Sequence, residues 1–368
     1  MKVALVCPTV GQTRRGYERF VTDLFGLVES DVDITLFKGA GPVTGREKVI
    51  HHVKRTGMFS RIFPNRLRYP RYHVEFATFA AGLAFHLARG KFDLVHFIDP
   101  PLGRLLNMCR QLTRSDFRLL FTNAGPVSYD CRNWVEHVHC LTPSALDEAL
   151  SSGFAPDQLT MLPVGIDPRR FLTPVARSEL RRRHGIAEDT FLILSVTALN
   201  RHHKRVDYLI EEVSTLARNV LLWIDGSLHP DGDPTLLDLA AAKLGDRYRH
   251  SHVSSEQVGE LFKMADVMVS TSLSESFGMA IVEAMYCGTP VVTHDSPHFR
   301  WLAGSGGHYV DQRFRGNLAG FLAKLMDEQE LRQPINPEAV ISRFGWSYLK
   351  TGYLDMYRKS SEARWGRT

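Results

Sequence analysis

The sequence predicts an α/β protein with two doubly wound parallel sheets, and three observations support this fold class. Its 368 residues are too many for one ordinary core and suit two domains of roughly 150–180 residues each. In both halves, short apolar runs of strand length alternate with helical stretches, which is typical of an open parallel sheet. Between the halves, residues 162–174 contain Pro163, Gly165, Pro168 and Pro174, so this stretch is predicted to link the domains.

The elements follow in order along the chain. The predicted strands of the first half are 3–7, 34–37, 94–97, 119–122 and 138–141, and its predicted helices include 19–28 and 74–88. The predicted strands of the second half are 191–196, 220–224, 267–270 and 291–293. Apolar residues at helical spacing from Trp346 to Tyr357 predict a C-terminal helix. Ligands are expected at the carboxyl ends of the strands, between the two domains.

The composition indicates a folded intracellular protein. The first seven residues form one apolar strand and lack the features of a signal peptide, and the apolar run from Phe76 to Ala88 is too short for a membrane span. The five cysteines show no paired spacing, which is typical of free thiols in a reducing compartment. We therefore expect a cytoplasmic location.

The net charge of +5 is unevenly distributed. From Arg46 to His73 the chain carries many Lys and Arg residues against the single acid Glu47, with aromatic and apolar residues interleaved. This pattern predicts peripheral contact with an anionic membrane at its inner face, or with an acidic lipid-linked acceptor. The alternative is a solvated basic loop. No motif or broad basic surface indicates nucleic-acid binding.

The most informative segment runs from Glu275 to Glu283. It places two carboxylates eight residues apart around a Phe277-Gly278 step, after a short predicted strand and at the start of a predicted helix. Unpaired backbone N–H groups at a helix N-terminus suit a phosphate. Glu283, within the helix, is suited to accept hydrogen bonds from two vicinal hydroxyls, as on a ribose. The alternative is a solvated carboxylate pair beside a core helix.

This segment, Glu-x-Phe-Gly-x4-Glu followed by Glu-Ala-Met-x-x-Gly-Thr-Pro-Val-Val, resembles the donor-site signature of the retaining GT-B-fold glycosyltransferases of family 4. Further matches occur in order along nearly the whole chain: the glycine loop after the first strand, Thr142-Pro143-Ser144, Leu162-Pro-Val-Gly-Ile-Asp167 and the Lys204 segment. The resemblance implies a GT-B fold. It also implies domains 1–168 for the acceptor and 169–345 for the nucleotide-sugar donor, with a helix 346–368 that returns to the first domain.

The resemblance also implies which residues bind the donor diphosphate. Lys204 matches the family's phosphate-binding lysine, and a fixed cation there would stabilise the charge of the leaving group. The family usually has an Arg five residues earlier and a Gly directly after, where this chain has Leu199 and Arg205. Arg201 is therefore expected to supply the second cation, with Arg205 as a weaker alternative.

The resemblance implies roles for further residues of this chain that match positions in the family's motifs. Glu275 is expected beside the transferred sugar, and Glu283 on the ribose. The remaining expected donor contacts are the glycine loop, the backbone after Glu275 and the base-contacting loop: Gly16, Ser276, Phe277, Gly278 and Val253. In the glycine loop, Arg15 replaces the first glycine of the family's pair and Arg14 adds charge. Asp99 and Asn123, at predicted strand ends in the first domain, are candidates for the acceptor, although Asn123 is also a plausible strand terminator.

No metal or cofactor is expected beyond the nucleotide sugar, which is a substrate. Asp231 and Asp233 have the spacing of a metal dyad but lie in a proline-flanked loop. The function implied is retaining transfer of a hexosyl unit, with UDP-glucose as the first guess and GDP-mannose as the alternative, in polysaccharide or glycolipid synthesis. A catalytically lapsed nucleotide-sugar-binding protein is the alternative from another class, and a nucleotide-sugar epimerase is a third.

Overall fold

The structure is a computed structural model that describes residues 1–12, 16–54, 70–123, 130–216, 219–228 and 232–362. The chain divides into two compact units. Unit 1 comprises Met1–Gly165 and Leu349–Thr368, and unit 2 comprises Ile166–Tyr348. These boundaries lie within three residues of those predicted from the sequence.

Unit 1 is built on a seven-stranded parallel sheet. Its strands are β1 (Lys2–Cys7), β2 (Asp33–Lys38), β3 (Glu47–Val49), β4 (Leu94–Phe97), β5 (Arg118–Asn123), β6 (His137–Cys140) and β7 (Leu159–Met161). Its helices include α1 (Gly16–Val28), α2 (Pro70–Gly90), α3 (Pro100–Thr113) and α4 (Pro143–Ser151). The strand order β3-β2-β1-β4-β5-β6-β7 reverses direction between β1 and β4.

Unit 2 is built on a six-stranded parallel sheet with the order β10-β9-β8-β11-β12-β13. The strands are β8 (Phe191–Val196), β9 (Val220–Asp225), β10 (Tyr248–Ser251), β11 (Val267–Val269), β12 (Val291–His294) and β13 (Gly307–Val310). The helices are α5 (Arg177–Arg183), α6 (Val206–Ser214), α7 (Thr235–Leu244), α8 (Val258–Met264), α9 (Met279–Tyr286), α10 (Pro297–Ala303), α11 (Asn317–Asp327) and α12 (Pro337–Phe344).

The last helix, α13 (Trp346–Glu362), begins in unit 2 and continues into unit 1. Its Tyr353 and Tyr357 are fully buried. The Tyr353 hydroxyl donates to the carbonyl of Pro163 at 2.8 Å, and the ring of Tyr353 packs edge-on against His139 of β6. The apolar spacing in the tail therefore reflects a helix that packs on unit 1.

The predicted α/β class is confirmed, and each predicted strand is present within one residue at either end. Four strands were not predicted: β3, β7, β10 and β13. They are short, and β10 reads Tyr-Arg-His-Ser, without the apolar alternation of a strand. All four are edge strands. Edge strands bury less surface, so their sequences carry a weaker apolar signal.

The basic stretch from Arg46 to His73 is not one continuous loop. Its first part forms β3, where Glu47 accepts a hydrogen bond from Lys38 at 2.7 Å, and its last residues belong to α2. Residues 55–69, which carry much of the predicted membrane contact, lie outside the described residues. The membrane contact therefore stays a prediction. Among the described helices, none is long and apolar enough to cross a membrane. All five cysteines are free.

Candidate functional site

The carboxyl edge of the unit 2 sheet has a topological switch point. The strand order runs in opposite directions on the two sides of the β8/β11 pair, so the loops that follow these two strands diverge. In open α/β sheets, such a point forms the crevice in which ligands bind. The β8–α6 loop carries Lys204, and the β11–α9 loop carries Glu275.

Lys204 and Glu275 form an ion pair at this point. The Lys204 Nζ lies 2.5 Å from Glu275 Oε1, and the two side chains are 22% and 12% exposed. Burial raises the pKa of Glu275, but the charge and hydrogen bond of Lys204 lower it more, so this pKa lies below its usual 4.5. The crevice thus holds a fixed ammonium group with an ionised carboxylate beside it.

Four residues that sequence reasoning missed hold these loops in place. The Asn200 side chain accepts a hydrogen bond from the Lys204 N–H at 2.8 Å, and the Thr271 hydroxyl donates to the Lys204 carbonyl at 2.7 Å. Ser272 donates to the carboxylate of Glu275. At Gly226, a Cβ atom would lie 1.8 Å from the carbonyl oxygen of Thr197, so only glycine fits where the β9–α7 loop passes the β8–α6 loop.

The Glu275–Glu283 segment has the predicted loop-to-helix form. Gly278 caps α9 with φ +103°, a conformation that favours glycine. Phe277 is a core anchor, 3% exposed, and its carbonyl oxygen lies 3.0 Å from His298 Nε2. Ser276 is half-buried, between Phe277 and Glu275. Glu283 lies in the second turn of α9 and is buried, with 4% of its surface exposed.

The two expected second cations have other partners. The Arg201 guanidinium lies 2.5 Å from Asp233 Oδ2 and donates to the Thr235 hydroxyl at 2.9 Å. Arg205 donates to the carbonyl of Gln312 and covers the ring of Tyr208. Its φ of +49° lies in the left-handed region, which explains why a glycine is usual at this position.

Leu199, at the position of the family's usual Arg, belongs to the apolar core of unit 2 and is fully buried. No cation can therefore stand at that position without disrupting the core. Binding of a diphosphate by Arg201 would require it to leave Asp233, and that role stays a prediction.

The predicted base-contacting loop follows β10. The Val253 N–H donates to Asp225 Oδ1 at 2.9 Å, and the Ser251 hydroxyl donates to the same oxygen at 2.6 Å. The indole N–H of Trp223 donates in turn to the Ser251 oxygen at 2.8 Å. Asp225, at the end of β9 and 5% exposed, therefore organises this loop, although the sequence analysis did not single it out.

The acceptor candidates lie at strand ends of unit 1, as predicted. Asp99 follows β4 and accepts a hydrogen bond from the Tyr72 hydroxyl at 2.9 Å. Asn123 is the last residue of β5 and is 2% exposed. Gly16 is the first residue of α1 and is exposed, whereas Arg14 and Arg15 lie outside the described residues. These positions do not test the roles in acceptor or donor binding.

A hydrogen-bonded chain crosses the same sheet beside Asn123. The His139 Nε2 must donate to the Leu162 carbonyl at 2.9 Å, because a carbonyl only accepts. Its Nδ1 then accepts from Thr122 at 3.0 Å, Thr122 accepts from His96 Nε2 at 2.6 Å, and His96 Nδ1 accepts from the Tyr357 hydroxyl at 2.9 Å. Burial lowers the pKa of His139 to about 4 and that of His96 well below its usual value. Both imidazoles are therefore neutral.

Among the described residues, no group of three or more His, Cys, Asp or Glu is arranged to hold a metal ion. Asp233 pairs with Arg201 and accepts a hydrogen bond from the Thr235 N–H at 3.0 Å. Asp231 lies outside the described residues.

Comparison with known proteins shows that part of the chain is similar to a described family. Residues 176–339 match the family model of the glycosyl transferases group 1. The match contains the β8–α6 loop, the Glu275–Glu283 segment and the base-contacting loop, and thus every residue of the unit 2 site.

Curated relatives match a longer region. The chain is 31% identical over 223 residues to the D-inositol 3-phosphate glycosyltransferase of Xylanimonas cellulosilytica, covering 56% of this chain and 53% of the relative. It is 30% identical over 231 residues to the protein of the same name from Paenarthrobacter aurescens, covering 60% and 56%. The chain thus spans about half the length of the curated relatives it matches.

Solved structures show that the fold is GT-B. Anabaena HepE in complex with UDP and glucose superimposes with a TM-score of 0.77 at 16% identity, covering 97% of this chain and 99% of HepE. The sucrose-phosphate synthase of Thermosynechococcus elongatus gives a TM-score of 0.79 at 17% identity, covering 97% and 98%. At such identities the likeness concerns the fold alone.

Proposed function

We propose that this protein is a retaining, metal-independent hexosyltransferase that takes its sugar from a nucleoside diphosphate sugar. The observation that carries the proposal is the Lys204–Glu275 pair at the switch point of unit 2, beside the N-terminus of α9. Negative charge grows on the diphosphate as the glycosidic bond breaks. A preorganised ammonium group with a helix N-terminus stabilises that charge more in the transition state than in the ground state.

The proposed reaction is a same-face displacement. The acceptor oxygen forms a bond to the anomeric carbon as the bond to the phosphate oxygen breaks, and that phosphate oxygen takes the proton of the acceptor hydroxyl. Glu275 is proposed to hold sugar hydroxyls or to oppose positive charge at the anomeric carbon. Glu283 is proposed to bind the ribose, and Asp99 and Asn123 the acceptor.

The acceptor is proposed to be a carbohydrate or a lipid-linked sugar in polysaccharide or glycolipid synthesis. Two donors are candidates. UDP-glucose is supported by the fold neighbour HepE, which has been solved in complex with UDP-glucose, and GDP-mannose is the alternative.

A second candidate function is nucleotide-sugar binding without turnover. It is favoured by one observation: Leu199 is buried in the core and Arg201 is paired with Asp233, so neither position supplies a guanidinium that is free to bind a diphosphate together with Lys204. The ion pair of Lys204 with Glu275 supports catalysis instead, because it fixes an ammonium group beside the N-terminus of α9, where negative charge on a diphosphate would be stabilised.

A donor panel tests the proposal. Purified protein is titrated with UDP-glucose, UDP-galactose, UDP-N-acetylglucosamine and GDP-mannose, and slow release of the nucleoside diphosphate is measured in parallel. The proposal expects one donor to bind and to be hydrolysed, with the released sugar keeping its anomeric configuration by proton NMR. Glu283→Gln is expected to weaken binding, whereas Glu328→Gln, an exposed acid far along the chain, serves as the matched control. Inversion of the anomeric centre, or binding without release for every donor and acceptor, would contradict it.

A further inference from the structure

Asp225 is a buried carboxylate with one oxygen left unused. Its Oδ1 accepts hydrogen bonds from the Ser251 hydroxyl and the Val253 N–H. Its Oδ2 has no hydrogen-bond partner among the described residues, and this atom keeps some contact with solvent. The residue as a whole is 5% exposed. A carboxylate that is desolvated on one side and open on the other is suited to accept a hydrogen bond from a ligand.

Four donors in and beside the loop next to Asp225 are already bound within the protein. The Trp223 indole N–H is bound to Ser251, the Ser251 hydroxyl and the Val253 N–H are bound to Asp225, and the Ser254 N–H points to the side chain of Gln257 at 3.2 Å. The carbonyl oxygens of His252 and Val253 accept no described hydrogen bond. Together with Asp225 Oδ2, these atoms make the loop rich in acceptors.

Nucleobases differ in the hydrogen-bond donors and acceptors that they would present to this loop. The Watson–Crick edge of guanine presents one acceptor, O6, and two adjacent donors, N1–H and the N2 amino group. Uracil presents a single donor, N3–H, between two acceptor carbonyls. Opposite a carboxylate and two backbone carbonyls, uracil would bring at least one of its oxygens close to another acceptor, which is unfavourable. Guanine would instead direct two N–H donors at these acceptors.

We infer that Asp225 selects the nucleobase and that this protein binds guanine nucleotides in preference to uracil nucleotides. Asp225 positions the Ser251–Val253 loop with Oδ1 and accepts from the base with Oδ2. The inference rests on the proposed function, because it takes the base of the donor to meet this loop. It deepens that function by choosing between its two donor candidates in favour of the guanine nucleotide sugar.

The test is a calorimetric comparison of GDP, UDP, IDP and pyrophosphate. Wild-type protein is expected to bind GDP at least about tenfold more tightly than UDP, since a hydrogen bond to a charged group is worth roughly 1.5–3 kcal/mol. IDP, which lacks the N2 amino group, is expected to bind about tenfold more weakly than GDP. This ligand-side change tests the inference without any substitution.

Asp225→Asn provides the protein-side test. The amide oxygen can keep the bonds to Ser251 and Val253, while an NH2 donor replaces Oδ2. The variant is therefore expected to lose affinity for GDP and gain affinity for UDP, with pyrophosphate binding unchanged. Asp246→Asn, an exposed acid of unit 2, is the matched control and should behave as wild type.

The outcomes distinguish a wrong base preference from a wrong donor site. If UDP binds as tightly as GDP, or Asp225→Asn leaves their ratio unchanged, the inference is overturned while the proposed function stands. If a folded wild type binds neither nucleotide nor pyrophosphate, the proposed donor site itself is refuted, and the inference with it.

Discussion

The ion pair between Lys204 and Glu275 allows a quantitative prediction about stability. For fully buried pairs, removal of one partner costs roughly 3–5 kcal/mol because a buried charge is left uncompensated. Here the side chains are 22% and 12% exposed, so solvent relieves part of that cost. We expect Glu275→Gln and Lys204→Met each to lower the free energy of unfolding by about 2 kcal/mol.

The double variant gives the decisive comparison. With both charges removed, neither side chain is left uncompensated, so we expect a coupling energy of about 1.5–3 kcal/mol between the two substitutions. The assay is urea unfolding followed by circular dichroism at pH 7, with a constant denaturant slope as the control for a changed unfolded state. Strictly additive losses, or single losses below about 0.5 kcal/mol, would refute the reasoning.

The pH dependence of this pair has a definite sign. Since the pKa of Glu275 is lower in the folded state than its usual 4.5, the pair stabilises the protein fully above that pH and loses its contribution as the pH falls through the folded value. The difference between wild type and Glu275→Gln should therefore be largest near neutral pH and close on acidification. A difference that is constant with pH would contradict the ionised pair.

Three further predictions concern other parts of the structure. Gly278→Ala should destabilise unit 2 by about 1–3 kcal/mol and weaken donor binding, because the φ of +103° is strained for alanine and its Cβ would lie 2.8 Å from Leu302; unfolding and calorimetry check this. Leu199→Arg should not raise turnover, and it should lower the melting temperature because it buries a charge in the core. His139 alone should contribute on the order of 3 kcal/mol to the loss of stability as the pH drops from 6.5 towards 4, because the folded protein holds it neutral with a pKa of about 4 while the unfolded chain takes up the proton.

Each of these predictions has a contrary result. An unchanged donor affinity in Gly278→Ala would show that the geometry of the α9 N-terminus does not matter for the ligand. A more active Leu199→Arg would show that the core there opens to the ligand. Stability that is level from pH 6.5 to 4 would contradict the neutral state of His139.

Much of the fold could be predicted from the sequence because buried parallel strands consist of continuous runs of apolar residues. The run at β8, Phe-Leu-Ile-Leu-Ser-Val, is predicted and observed with the same bounds. The run at β10 escaped prediction because Tyr248, Arg249, His250 and Ser251 are all partly solvated at the sheet edge. The apolar content of a segment reflects its burial, so it does not predict a strand that is held mainly by backbone hydrogen bonds.

The site was predictable where its residues form a local motif, and not where they meet across long separations. The loop-to-helix form around Gly278 follows from local sequence, since a glycine before an apolar helical run predicts its start. The contact of Lys204 with Glu275 joins residues 71 apart and depends on the adjacency of β8 and β11. Asp225 was missed because an Asp-Gly step after a strand is also an ordinary strand terminus.

The departures from the family pattern are explained only by the structure. In sequence terms, Leu199 stands where the family usually has an Arg, and Arg205 stands where it usually has a Gly. In the structure, Leu199 is core, and Arg205 adopts a left-handed conformation while its guanidinium binds the Gln312 carbonyl.

The most direct test of the central claim is the rate of nucleoside diphosphate release from the preferred donor in wild type and Lys204→Met. Removal of one preorganised group that stabilises a developing charge typically costs about 100- to 1,000-fold in rate. The account predicts a loss of that size in folded Lys204→Met. It also predicts that Lys243→Met, an exposed lysine of α7, keeps the wild-type rate. A folded Lys204→Met that releases the nucleotide as fast as wild type would contradict the assignment of the unit 2 crevice as the site of transfer.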